Sequence, residues 1–422
     1  MGCLVSTSND SGGKNPKNAG EIMVFVPGLR IPKPVDFVLP LNDGLSKNLV
    51  ERLSALRTRI VVMAGQEAPR SAKSRRIATQ HGGSTLADLQ QALEDYLPVL
   101  LGLVYNGNKL QHKLQFSWVN QEDDAEETTM SNSWYEVLSV LHLMAMLTLS
   151  QANFFLLSKA STDGYQSKVS EECRRTSIDL LLKAAGYLDF AVKHALPQFP
   201  PEVRKDLPLD LAEEVLEALC LQALGQGVDI QLGVAIDSIQ ATMAVKRRLA
   251  CEMVKYWHQA QENIVNLPLA NRWGQKHKFF VKWKHNEAKA AAYYYHGLIL
   301  DEGNTERFHM MAVAALQAAD QFLKESKKAC ESFNITPPLS RNPPVWRTSS
   351  KSLSEKIAKD ISSKVQMNRD TLNHELIEQT APALPDFALS LQPDEYSLPS
   401  VDPSWNDILQ SESLFPSRQD PI

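Results

Sequence analysis

Cysteine is scarce and scattered. The five residues Cys3, Cys173, Cys220, Cys251 and Cys330 are spread over a chain of 422 and include no C-x-x-C pair. That spacing excludes a disulfide framework and a zinc finger or ribbon, and it fits the reducing cytosol. Charge of one sign is also lacking: 44 Lys and Arg face 49 Asp and Glu, so no whole-molecule attraction to nucleic acid is expected. The first twenty residues lack the apolar core of a secretory signal. No G-x-x-x-x-G-K-[ST], G-x-S-x-G or H-E-x-x-H occurs, and no G-x-G-x-x-G follows a strand pattern. The ten histidines are dispersed; the pairs Cys251/His258 and His277/His285 each offer two ligands without a third. The chain is therefore read as a non-enzyme, without cofactor or metal.

Long hydrophobic runs are rare as well. The longest, VLSVLHLMAMLTLSQANFFLL from Val137 to Leu157, contains His142, Gln151 and Asn153. Polar groups at bilayer depth are costly, so this run is read as a helix buried in a large helical domain. The composition, 43% hydrophobic and 22% charged, is that of globular material.

What is present begins with MGCLVS. After loss of Met1, Gly2 and Ser6 fit the N-myristoylation pattern, and Cys3 is placed for palmitoylation, the second anchor that stable attachment requires. Residues 1–20 then read as a flexible tether, polar and rich in Gly and Asn. EIMVFVPGLRIPKPVDFVLPL follows, where Pro27, Pro32, Pro34 and Pro40 argue for an extended segment and against helix. From Lys47 helical periodicity dominates. One helix starts near Ser84 and ends before Asn106-Gly107, KLQFSWV is a short strand, and EDDAEE at 122–127 is a solvated loop. Long helices are expected over 132–160, 166–195, 208–225, 228–262, 272–302 and 305–333, separated by Gly and Pro signals. Alanine-rich stretches such as EAKAAAYYYHG and MAVAALQAADQFL allow close antiparallel packing, as in tetratricopeptide-type hairpins, although no strict 34-residue period is present. SLSEKIAKDISSKVQ is one further amphipathic helix. The Pro-rich stretch to about residue 400 keeps Leu, Phe and Tyr, so it is expected to wrap back over the body, leaving 401–422 as a loose tail.

One helix is unusually basic. In RWGQKHKFFVKWKHNEAK, Arg272, Lys276, Lys278, Lys282, Lys284 and Lys289 accompany a single acid, Glu287. The reading is a basic face for an anionic membrane surface, with a solvated helix surface as the plain alternative.

The succession DLPLDLAEEVLEALCLQALGQGVDIQL, RLACEMVKYW, KWKHNEAKAAAYYYHGLILDE and AVAALQAADQFLKESKKACESF resembles the Bro-one (BRO) domain of Alix-type endosomal proteins, with Brox-like single-domain members most similar. KAAGYL and WYEVLSVLHLMAMLTLSQAN match earlier helices of that family. The resemblance spans roughly residues 22 to 400. It implies an all-α, mainly helical, boomerang-shaped domain over 21–400 with a tetratricopeptide-like core. It also implies an adaptor that holds the C-terminal amphipathic helix of an ESCRT-III subunit in endosomal sorting. Carried over residue by residue, the helix-binding patch falls on Val228 and Ile230 in GQGVDI and on Val245 and Leu249 in VKRRLA. Brox-like relatives carry a C-terminal prenylation box where this chain ends SRQDPI, so the anchor is expected at Gly2 and Cys3, at the cytosolic face of endosome or plasma membrane. A lipid-anchored scaffold for a different protein is the alternative.

Overall fold

The computed structural model describes residues 24–41, 45–67, 72–105, 108–121, 127–156, 169–268, 272–303, 305–337, 354–363 and 381–406. Gly2, Cys3 and the tether lie outside the described residues.

Three strands, β1 (Arg30–Pro32), β2 (Phe116–Asn120) and β3 (Glu127–Met130), form an antiparallel sheet in that order. The sequence points to β2; β3 lies at the end of the run read as loop. The N-terminal helices are α1 (Val38–Leu41), α2 (Lys47–Glu67), α3 (Ala72–Tyr105) and α4 (Asn108–Gln111). The prolines did not forbid helix altogether, since α1 is a single turn containing Pro40. α3 starts twelve residues before Ser84 and runs through Pro98. The remaining helices are α5 (Ser133–Leu156), α6 (Glu171–Phe190), α7 (Pro201–Lys205), α8 (Glu213–Asp237), α9 (Met243–Val265), α10 (Arg272–Asp301) and α11 (Glu306–Ile335), followed by a helical stretch at 354–363. Among the long ones from α5 onward each packs on its predecessor: α6 on α5, α8 on α6, α9 on α8, α10 on α9 and α11 on α10. The fold is mainly helical, a zigzag of hairpins.

α5 is buried almost completely from Ser133 to Leu149, which accounts for its apolar run without a bilayer. Burial of this run also explains its polar residues: Thr148 returns its hydroxyl to the Met144 carbonyl. Two buried ion pairs tie the sheet to the helices. Arg30 on β1 grips both carboxylate oxygens of Asp210, at 2.6 and 2.7 Å, while its other nitrogen donates to Thr128 and Tyr135. Arg57 on α2 pairs with Glu136 on α5, which also accepts from Trp118 Nε1 at 2.7 Å. Such pairs survive burial because each charge is met by a partner and by further hydrogen bonds.

The chain then returns as an extended strap. From Phe387 to Leu398, Phe387, Leu389, Leu391, Pro393, Tyr396 and Leu398 are partly buried, and most of the residues between them are exposed. This is the period of two that extended backbone imposes. The strap crosses α9, α8, α6 and α3 in turn. Lys255 donates to the Phe387 carbonyl, Glu252 accepts from both the amide and the hydroxyl of Ser390, and Tyr256 donates to the Leu391 carbonyl. Further on, the Asp394 amide donates to the Leu182 carbonyl and Tyr396 meets Tyr187 and Phe190 edge-on. Asp402 accepts from Arg52 at 2.9 and 2.7 Å, and Trp405 is fully buried, with Nε1 donating to the Val99 carbonyl. The packed body thus reaches Trp405, beyond the boundary expected at residue 400.

Candidate functional site

The hairpin of α8 and α9 carries the four residues expected to hold a partner helix. α8 is longer than the sequence reading had it. Gly225 and Gly227, at the boundary expected between helices over 208–225 and 228–262, lie inside the helix, where neighbours come close: a Cβ at Gly225 would stand 3.1 Å from the Trp257 ring, and one at Gly227 would stand 2.9 Å from Leu391. The turn comes instead at Ser238–Thr242, where the Thr242 side chain caps α9 by accepting from the Val245 amide.

The four candidates separate into two pairs. Val228 and Ile230 are fully buried in the core and offer no surface to a partner. Val245 is 45% exposed, and Leu249 is half-buried with its inner side packed on the core. Being four apart, these two share a helix face. Glu252 and Tyr256, the next residues along that stripe, are the ones bonded to the strap, so the open part of the stripe ends where the strap begins. Arg248 pairs with Glu252 at 3.0 Å, and the Arg247 guanidinium lies 5.9 Å from the centre of the Phe387 ring.

The basic helix is placed differently from the expectation. α10 is enclosed by α9, α11 and the N-terminal segment, with Phe25, Trp257, Phe280, Trp283 and Phe333 meeting around it. Lys276 is fully buried and donates to the carbonyl of Thr336, the C-cap of α11. Lys278 is half-buried and donates to the carbonyls of Val265 and Leu267 at the end of α9. These two lysines satisfy carbonyls at the negative ends of neighbouring helices. Lys284 is buried between Asp229 and Glu287, at 2.6 Å from each, and their charges hold its ammonium well above the usual range against the cost of burial. Burial pushes Asp229 up despite that partner. Lys289 is half-buried with its ammonium 5.0 Å from the centre of the Phe322 ring, and desolvation lowers its pKa. Lys282 is exposed, and the side chain of Arg272 lies outside the described residues. Lys276 and Lys284 are therefore unavailable to a membrane, and a continuous basic face does not form.

Sequence reasoning missed the α8–α9 connection itself, which it read as helix. Ile239 there is the most exposed large apolar side chain among the described residues, and Met243 is 38% exposed. The signal was Thr242, a good N-cap immediately before the helix start at Met243.

Comparison with known proteins supports one family. The model described as the BRO1-like domain matches residues 29–382. ALIX in complex with the SIVmac239 PYKEVTEDL late domain superposes with a TM-score of 0.61 at 16% identity, covering 93% of this chain and 53% of that one. The present chain thus spans about half the length of that ALIX chain. A Bro1 domain described for endosomal targeting gives 0.56 at 16% identity, covering 92% and 95%. The ALIX BRO1 complex with CHMP4C gives 0.56 at 17%, covering 90% and 95%. Comparison with curated protein sequences gives no match. At these identities the superpositions speak for the fold, and the family model, spanning well over half the sequence, speaks for descent: the chain belongs to the BRO1-like domain family.

Proposed function

We propose that the protein is a non-enzymatic adaptor that captures the C-terminal amphipathic helix of an ESCRT-III subunit. The observation that carries this reading is family membership, joined to a likeness to a BRO1 domain complexed with CHMP4C that extends over nearly the whole of both chains. On this chain the partner-binding stripe is Val245 and Leu249 on α9, while Val228 and Ile230 are core residues of α8. A helix laid there presents apolar residues at i and i+4 to the stripe. The single-domain, Brox-like organisation and the anchor at Gly2 and Cys3 complete the proposal, and they place the protein on the cytosolic face of endosomal or plasma membranes.

Titration of the full chain with a peptide of an ESCRT-III C-terminal helix tests the site. Val245→Asp, at an exposed position, leaves the fold intact and should weaken micromolar binding by at least about tenfold, because a carboxylate must then be desolvated against an apolar partner. Leu249→Asp should do the same. Unchanged affinity in both variants overturns the assignment, and absence of wild-type binding leaves a scaffold for another protein. The anchor has its own test: Gly2→Ala should move the protein from the membrane to the soluble fraction of cells, and an unchanged distribution refutes it.

A further inference from the structure

We infer that the α8–α9 tip is a lipid-contacting wedge, a site separate from the helix-binding stripe. Ser238 to Ala244, SIQATMA, contains no charged residue, and within it Ile239 is fully exposed and Met243 is 38% exposed. Exposing a large aliphatic side chain completely at a helix–helix turn has no packing purpose in the folded chain, and the same turn could be closed by a polar residue. Directly behind the tip come three cations in succession, Lys246, Arg247 and Arg248; Arg248 pairs with Glu252 but keeps 53% of its side chain exposed, and Arg247 lies against the Phe387 ring. The nearest acid preceding the tip, Asp237, is occupied by Arg174 at 2.9 Å. The tip is thus apolar at its point and positively charged at its collar, which is the order in which a membrane presents its own chemistry from acyl boundary to anionic headgroup. The long side chains of Lys and Arg reach headgroups while their stems lie along apolar surface.

Geometry keeps this wedge apart from the partner stripe. Along α9, Val245 lies about 200° and Leu249 about 240° around the helix from Met243 in the same sense, so a bilayer against Ile239 and Met243 leaves Val245 and Leu249 facing elsewhere. The occupant that this charge pattern fits is an anionic lipid surface. The basic collar replaces the face that the sequence placed on α10, where the lysines are spent on helix ends and buried acids.

The experiment is flotation of the full chain carrying Gly2→Ala, so that no acyl chain contributes, with vesicles of phosphatidylcholine alone or with 30% phosphatidylserine (about one lipid in three, a strongly anionic surface). The protein should float with the anionic vesicles, and the bound fraction should fall severalfold in high salt. Ile239→Ser combined with Met243→Ser should lower binding about tenfold while leaving the titration with the ESCRT-III peptide unchanged. Leu249→Asp should show the reverse pattern, which makes failure of this inference distinguishable from failure of the helix-binding assignment. Equal flotation of wild type and the double variant, or no flotation of wild type with anionic vesicles, overturns the wedge.

Discussion

Gly102 on α3 has no room for a side chain, because a Cβ there would collide with the ring of Trp405. Trp405 is fully buried and bonded to the Val99 carbonyl, so it has nowhere to retreat. Gly102→Ala should therefore destabilise the protein by about 1–3 kcal/mol, as overpacking of a close-packed site does, and thermal unfolding will read it. An unchanged melting temperature would mean that the strap is dispensable at its C-terminal end. The same scale explains why the basic residues of α10 misled. Lys276, Lys278 and Lys284 look like surface cations in sequence because, apart from Glu287 three residues from Lys284, their acceptors are not local. Those acceptors are the Thr336, Val265 and Leu267 carbonyls and Asp229, which lie from 11 to 60 residues away and converge only when α8, α9 and α11 are packed.

At the scale of elements, what was legible is what periodicity encodes. α10 and α11 end within a few residues of the expected 272–302 and 305–333, because both are bounded by turn signals and carry caps such as Thr305, which accepts from Phe308. The run within α5 was correctly read as a core helix, since its polar residues were too many for a bilayer. The strap, too, was legible from its retained Leu, Phe and Tyr. The misplaced break between α8 and α9 has a definite cause. Glycine signals a turn when it supplies unusual backbone angles, but Gly225 and Gly227 supply absence of volume, for Trp257 and Leu391. Local sequence cannot tell these two uses apart. The error carried a functional cost, since it hid the true turn at Ser238–Thr242 and with it the exposed Ile239. Of the proposed partner stripe, the spacing of Val245 and Leu249 shows in sequence only that they share a helix face, whereas the burial of Val228 and Ile230 depends on how α8 packs.

The whole molecule buries histidine in a way that makes its stability depend on pH. His142 and His277 are enclosed, and desolvation lowers each from the usual 6.5 to about 4. His285, which faces Lys289 and His258, is lowered to about 3 by burial first and by those neighbours second. His142 faces Asp210 and Arg30, whose opposite effects leave burial dominant. His277 donates one bond, from Nε2 to the Gln222 side-chain oxygen at 2.9 Å, and owes its shift to burial alone. A group whose folded pKa is depressed stays neutral in the native state while its unfolded counterpart takes up a proton below about 6.5. Between that value and about 4 the unfolded chain therefore binds more protons, and stability falls as pH falls. Glu136 and Asp229, raised by burial, work in the opposite sense, since the native state accepts their protons first. Carboxylates titrate mainly at the acid end, so from pH 7 to 5 the histidines prevail, at about 1–2 kcal/mol each. The melting temperature of the full chain should accordingly drop over that interval. His277→Gln, which keeps a polar partner for Gln222 and cannot be protonated, should flatten the dependence. A melting temperature constant from pH 7 to 5, or a slope unaffected by His277→Gln, would show that these histidines are hydrated in solution.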